Sequence, residues 1–413
     1  MSATLKFGSG QWATKKGSTL AYNDENGNFK PLPFNFERST SATRVNKEGL
    51  IETVGSGEPR VDYKDDSKGA LLLEPTRSNL VTYSEAFDNA AWSKNAASVV
   101  SGFTSPEGLS NAYKLVEDTS TGVHSLSAIY ASSQTGYKTW SICAKAGERN
   151  WFVINAYYGG DYKTYFDLTN GVVGTSASGN TSTITKLANG WYRCTVTRTS
   201  VTPHTIYNGY GVAEADNDDS FFGNGTSGVY IWGAQLEQGS YATSYIPTSG
   251  QSGGVTRVAE VCNNGGNDQV INSTEGVFYV NIKANDLLSS QRISLAKSGG
   301  SSSILIGLVD ISGVHSLVVI YYNQSNPIYL FTNPITENQF NKIAVSYKTS
   351  EFKTFLNGVK VGQQLSGNTS SVSFDTLDFK DTVNQSSQFY GICNEIKVYN
   401  TALTDQELQA LTS

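Results

Sequence analysis

The sequence predicts an all-β protein: two β-sandwich modules behind a loop-rich N-terminal region. Three observations carry that expectation. Strand-like segments recur every roughly ten to twenty residues from Ala70 onward, with no helical pattern between them. The chain holds 40 Gly and 23 Tyr, but only 16% of its residues are charged, a mixture suited to short strands and tight turns. No fixed-period repeat runs through it, which argues against a β-helix or a propeller.

Residues 1–75 form the first part. They carry 20 of the chain's 66 charged residues and only strand-like scraps, at Thr4–Phe7 and Thr19–Tyr22. A hairpin signal stands at Asn26-Gly27, and Pro31 and Pro33 are expected to interrupt any long element. Such a stretch has little to bury alone, so it reads as an attachment or oligomerisation region ordered against a partner. Residues 76–260 form the second part. Lys138–Lys145, Trp191–Thr197 and Gly228–Leu236 alternate apolar with polar, Trp151–Ala156 is a continuous apolar run, and Tyr165–Leu168 precedes a turn at Asn170-Gly171. Pro247–Gly265, rich in Gly, Ser and Asn, reads as a linker.

Residues 261–413 form the third part. Its strands are expected at Val277–Ile282, Ile304–Val309, Ser316–Tyr322, Asn341–Tyr347 and Gln388–Tyr399, with a hairpin around Asn357-Gly358, the dipeptide a type I′ turn requires. All six Trp lie at or before Trp232, so this core is built differently. One helix closes the chain, announced by a Thr404/Glu407 capping box and a Leu403/Leu408 staple.

A net charge of −6 argues against a basic nucleic-acid face, and no apolar run approaches the ~20 residues of a membrane helix. The N-terminus shows no secretory signal. Cys143, Cys194, Cys262 and Cys393 lie far apart without a CxxC pair, so free buried thiols are expected rather than a zinc site or a disulfide framework.

Three blocks carry a family resemblance. FERSTSATRVNKEGLIE, EPRVDY and GALLLEPTRSNLVTYSEAFDNAAW fall between Phe36 and Trp92, and GVYIWGAQLEQGSYATSYIPTSG with VTRVAE spans Gly228–Glu260. Both closely resemble segments of tailed-bacteriophage virion proteins, fibres or appendages, with a carbohydrate-binding-type jelly roll. GICNEIKVYNTALTDQEL (Gly391–Leu408) is similar to the final strand and helix of laminin-G-like or concanavalin-A-like sandwiches. The resemblance implies a jelly roll over 76–260, a laminin-G/concanavalin-A-like sandwich over 261–413 and a virion location, but no defined sugar or catalytic residue.

Candidate sites are weighed residue by residue. Gly250-Gln251-Ser252-Gly253-Gly254 matches G-x-S-x-G, yet it lacks the strand-to-helix context of a nucleophile elbow. Glu214, Asp216 and Asp218 alternate as glucanase acids do, but in the wrong module; the run reads as a solvated loop, or else as a calcium site at Asp216, Asp218 and Asp219. His124, His204 and His315 have no partners at metal spacing. Tyrosines are the best binding clue, because sugars stack their C–H faces on flat rings. Tyr157, Tyr158 and Tyr162 surround Gly159-Gly160, Tyr207 and Tyr210 flank Asn208-Gly209, and Tyr321, Tyr322 and Asn323 end a strand. Each serves equally as glycan contact, subunit contact or plain surface.

The expected function is therefore weak, multivalent adhesion of a virion to host-surface glycans by a non-enzymatic subunit, with no required cofactor. Residues 1–75 would bind other virion proteins, and a homo-oligomer, a trimer first, would multiply the weak sites. A purely structural decoration subunit and a polysaccharide depolymerase are the alternatives.

Overall fold

The computed structural model describes residues 3–10, 12–15, 19–23, 29–248, 250–251, 254–323, 326–336, 338–365, 372–383 and 386–413. Strands hold 58% of the chain and helix 3%, so the fold is all-β. Two compact units form. One takes residues 1–41, 54–75 and 258–413, the other residues 42–53 and 76–257. No helix among the described residues is long and apolar enough to cross a membrane.

The first unit is a sandwich of two antiparallel sheets. Its larger sheet orders Val359–Gln364, Glu351–Leu356, Asn341–Lys348, Glu275–Ala284, Gly391–Tyr399, Ala70–Leu73 and Arg60–Asp62, while Leu5–Gly8 pairs with the later half of Gly391–Tyr399. The facing sheet runs Asn326–Pro334, Val314–Asn323, Ser303–Ile311, Gln291–Ala296 and Thr376–Asp378. Alternation sends Phe278, Val280, Ile293, Leu295, Ile306, Val319 and Val345 into one shared core. Asn357 and Gly358 both take positive φ in the Glu351–Gln364 hairpin, as the Asn-Gly signal requires. The helix Asp405–Thr412 has its complete Thr404/Glu407 capping box. Leu403 and Leu408 bury with Val277, Tyr279 and Phe355 on the outer face of the larger sheet.

Residues 1–75 do not stand apart. Leu5–Gly8, Arg60–Asp62 and Ala70–Leu73 extend the larger sheet of the sandwich, and residues 42–53 join the other unit. Their partner in order is this chain itself, because ALLL and LKFG supply apolar strands that a charge count overlooks. Pro31 and Pro33 fall within the strand Phe29–Glu37. The Asn26-Gly27 signal lies outside the described residues. The stretch read as a linker holds two strands, Val255–Arg257 and Val261–Asn263, and a buried carboxylate, Glu260.

That carboxylate sits at the centre of a buried charge network. Glu260 Oε1 accepts from Arg38 Nη1 at 2.7 Å and from Arg60 Nε at 2.8 Å, and Glu260 Oε2 accepts from the Glu74 backbone N–H at 2.9 Å. Arg60 Nη1 lies 2.9 Å from Glu74 Oε2. The side chains of Arg38, Arg60 and Glu260 have no exposure at all. Burial alone would pull the Arg60 pKa down; the charges of Glu260 and Glu74 outweigh it and hold the guanidinium above its ordinary value. Arg38 further donates to the carbonyls of Thr40 and Gly55.

The second unit is built on two very long strands, Ser125–Ala146 and Trp191–Ala213. They pair twice, Ser125–Ala131 with Ile206–Gly211 and Gly136–Lys145 with Trp191–Ser200, with register breaks between. Those breaks divide one continuous sheet into two halves. The first half adds Ser93–Asn95, Trp151–Tyr158, Lys163–Asp167 and Val172–Ser176; the second adds Ala97–Phe103, Ala112–Glu117, Gly228–Gln238 and Thr181–Lys186. Leu126, Phe152, Ile154, Phe166 and Val212 from the first half meet Leu115, Trp140, Ile142, Val196 and Ile231 from the second in a single core. On the second half's outer face, Trp191, Trp232 and Cys143 are covered by Ile51 of the hairpin Ala42–Val54.

The two jelly-roll blocks of the sequence lock together. Asn79 Nδ2 donates to the carbonyls of Ala234 and Ile246, and its Oδ1 accepts from the backbone of Val81 and Leu236. Ser84 and Thr248 exchange backbone-to-hydroxyl bonds, both at 3.0 Å.

Two outcomes follow from this packing. Glu260→Gln leaves two buried guanidiniums short of a counter-charge and is expected to cost about 3–5 kcal/mol in denaturant unfolding; a loss under ~1 kcal/mol would show the network to be solvated. All four cysteines are free and buried, and burial pushes the Cys143 thiol up to about 12. A disulfide-exchange reagent at neutral pH should therefore label none in native protein and all four after denaturation.

Candidate functional site

The outer face of the first half-sheet of the second unit carries a pocket. Strand alternation sends Phe152, Ile154, Ile206 and Val212 inward, so Val153, Asn155 and Tyr157 must point outward, as must Tyr207, Gly209 and Gly211 and Ser125 and Ser127. With Asp161, Lys163 and Asp219 these residues line a cavity of about 220 Å³. Its floor crosses Gly209 and Gly211, where no side chain stands. A Cβ on Gly209 would come within 3.0 Å of Asn155 Cβ and close the space.

Tyr157 and Tyr207 are cross-strand partners in register, and their rings meet edge to face with centroids 4.6 Å apart at 80°. Both are half-buried. Asn155 Nδ2 donates to Asp161 Oδ1 at 2.5 Å, and Asn155 Oδ1 accepts from the Tyr162 backbone N–H at 3.1 Å. Lys163 Nζ donates to Asp219 Oδ2 at 2.7 Å, and the Tyr165 hydroxyl donates to Asp219 Oδ1 at 3.0 Å. Burial, then the Asp219 charge, holds the Tyr165 phenol well above its ordinary value, so it remains a donor.

Asp219 reaches the pocket by a braced loop. Asn217 takes φ 58° in a tight turn closed by Ala215 and Asp218, and Ser220–Phe222 then pairs with Thr121–Val123. Phe221 packs against His124 at 4.7 Å and under the Arg149 guanidinium at 4.8 Å, while Arg149 forks onto Glu117 and reaches Glu214.

The structure separates the tyrosines that sequence grouped together. Tyr157 and Tyr207 line the pocket. Tyr210 borders it as well, but Tyr158 and Tyr210 are 2% and 0% exposed, and alternation turns their rings into the core. Tyr158 packs on Trp140, and Tyr210 stacks with Phe152. Tyr162 lies beneath the Arg198 guanidinium instead. In the other unit, Tyr321 is core, between Phe352 and Phe374, while Tyr322 and Asn323 end their strand half-exposed.

The three aspartates do not converge on a cation. Asp216 accepts from the backbone and hydroxyl of Thr175, Asp219 is taken by Lys163 and Tyr165, and Asp218 closes the turn with its backbone. Among the described residues no group of three or more His, Cys, Asp or Glu could hold a metal ion. The physical reason is that protein donors already engage the Asp216 and Asp219 carboxylates, while Asp218 takes part in the turn through its backbone. Ser252, the would-be nucleophile, lies outside the described residues.

Asn155, Asp161 and Lys163 were not singled out from sequence. The available signal was a polar Asn at an outward position of the otherwise apolar run WFVINAYY, in register with Gly209.

The comparisons with known proteins bear on the two units unequally. Residues 270–409, about a third of the chain and wholly within the first unit, match Laminin_G_3, described as the concanavalin A-like lectin/glucanases superfamily. No curated protein matches the chain. Among solved structures, the Ruminococcus gnavus IT-sialidase CBM40 bound to α2,3-sialyllactose is 16% identical, with 34% of this chain and 83% of that one covered at a TM-score of 0.28. A putative carbohydrate binding protein from Bacteroides ovatus is 11% identical, covering 71% and 80% at 0.27. Mouse laminin α1 domains LG4-5 are 12% identical, covering 81% and 94% at 0.24. No residue role is carried over from them.

The two classes of tyrosine should part experimentally. Tyr210→Ala is expected to cost about 3–5 kcal/mol of stability, whereas Tyr157→Ala and Tyr207→Ala should each leave the unfolding midpoint within ~1 kcal/mol of the parent. Equal destabilisation by all three would place Tyr157 and Tyr207 in the core.

Proposed function

We propose that this chain is a non-enzymatic glycan-binding subunit of a tailed-phage particle, acting in weak multivalent adhesion to host-surface saccharides. The observation that carries the binding reading is the Tyr157–Tyr207 pocket. Two partly exposed rings stand over a side-chain-free floor, beside an amide, an ammonium and two carboxylates. Flat rings take the C–H face of a pyranose, and Asn155, Asp161 and Lys163 offer both donors and acceptors to its hydroxyls. A small, open, polar pocket of this kind binds weakly, and weak sites become useful when many act together.

Non-catalytic action is supported by how the carboxylates are held. Asp161 accepts from Asn155, and Asp219 accepts from Lys163 and Tyr165. Neither stands free as a general acid opposite a second carboxylate, as glycoside hydrolysis requires. The virion setting is supported by the sequence blocks between Phe36 and Glu260. A homo-oligomer, a trimer first, and contacts of the N-terminal strands with other virion proteins complete the reading, with the particle as its location.

The test is binding of the full chain to intact host cells and to their extracted surface polysaccharide, with assay for released oligosaccharides. Saturable binding without release is expected, and Tyr157→Ala/Tyr207→Ala should weaken it at least tenfold, about 1.4 kcal/mol per site. Released oligosaccharides would make the protein a depolymerase, and no binding by the verified oligomer would make it a decoration subunit.

A further inference from the structure

A second cavity in the second unit, of about 570 Å³, lies where the two jelly-roll blocks of the sequence meet the hairpin Ala97–Glu117. Tyr83, Glu85, Asn111, Tyr113 and Thr248 line it with exposed Ser101 and Ser110. It shares no lining residue with the Tyr157–Tyr207 pocket.

The walls are rigid. The Tyr83 ring packs on Gly250, where a Cβ would come within 2.5 Å of it, and Gly250 is fixed by a backbone bond to Thr82. Tyr113 meets Phe87 edge to face at 5.7 Å, and its hydroxyl donates to Asp88 at 2.9 Å. Glu85 accepts from the Tyr245 hydroxyl at 2.7 Å. Asn111 spends its amide N–H on Glu107 at 3.2 Å, which leaves its Oδ1 buried with no hydrogen-bond partner. A buried acceptor in that state is short of a donor.

The lining carries no positive charge. None of its residues is basic; Ser, Thr, Tyr and Asn side chains offer both donors and acceptors, and Glu85 adds a carboxyl beside two aromatic rings. Burial, opposed by the Tyr245 bond, holds the Glu85 carboxyl above its ordinary value; burial does the same to Glu107, opposed by the Asn111 bond and reinforced by Glu85. Among the described residues no basic side chain pairs with either carboxyl. The lining therefore favours a ligand that brings donors to Glu85 and offers nothing to neutralise a negative charge.

We propose that this cavity is a second saccharide site, selective for donor-rich sugars that carry no acid group and tightest for an amine-bearing sugar. A pyranose would lie against Tyr83 and Tyr113, with its hydroxyls or ammonium toward Glu85. Uronic and sialic acids would be repelled. The inference does not depend on the first pocket, and either can fail alone.

The experiment uses the full-length Tyr157→Ala/Tyr207→Ala chain, so that the first pocket is disabled. Calorimetric titration compares three probes: a glucosamine oligomer with free amines, its N-acetylated counterpart and an oligouronate of equal length. The free amine should bind at least tenfold more tightly than the oligouronate. Ser110→Trp, an exposed substitution that plugs the cavity without disturbing the core, should abolish the binding. Glu85→Gln should remove the preference for the amine over its acetylated form while the unfolding midpoint holds. Binding of the oligouronate as tightly as the amine, no binding of any probe, or binding indifferent to Ser110→Trp would overturn the proposal.

Discussion

Four passages of chain lead from one compact unit to the other, at residues 41–42, 53–54, 75–76 and 257–258. Beside each stands a member of one buried charge network: Arg38, Arg60, Glu74 and Glu260. Two guanidiniums and two carboxylates removed from solvent are costly to assemble, and their mutual attraction offsets that cost only with close geometry and saturated hydrogen bonds. The arrangement meets both conditions, since the central carboxylate accepts from both arginines and from a backbone N–H. An apolar cluster would tolerate a shift of register, but this network does not. It ties the N-terminal segment to the C-terminal segment within the first unit.

Within the second unit, the pocket-bearing face is a by-product of making a core. Two strands of more than twenty residues bend so that their halves face one another, and every inward Phe, Ile or Val dictates an outward neighbour. Where the outward neighbours are Trp191 and Trp232, the hairpin Ala42–Val54 covers them. On the other half-sheet the outward residues are Tyr, Asn, Lys and Gly, and that face carries the pocket. A site on strands rather than on loops holds its side chains at fixed spacing, which suits recognition of a rigid ring.

Periodicity made much of the fold legible. Alternation marked Lys138–Lys145 and Trp191–Thr197, Asn-Gly marked the Asn357-Gly358 hairpin, and the capping box marked the last helix. What stayed hidden depends on distance along the chain. Arg38 and Glu260 are 222 residues apart, and nothing local says that VTRVAE supplies the counter-charge to FERS and EPRV. The tyrosines fail for a related reason. Tyr157 and Tyr158 are neighbours of identical chemistry, and only the direction of the pleat sends one to the pocket and the other to the core. Composition also misled at Pro247–Gly265, where Gly and Ser outnumber the few residues that form strands.

The central claim is that Tyr157 and Tyr207 contact saccharide while their sequence neighbours serve the core. The most direct measurement is fluorine NMR of protein carrying fluorotyrosine, with each resonance assigned by Tyr→Phe replacement and saccharide fragments titrated in. The account predicts saturable shifts of the Tyr157 and Tyr207 signals, with Tyr158 and Tyr321 unmoved. Shifts spread over the core tyrosines, or none at Tyr157 and Tyr207 when the fragments demonstrably bind, would contradict it.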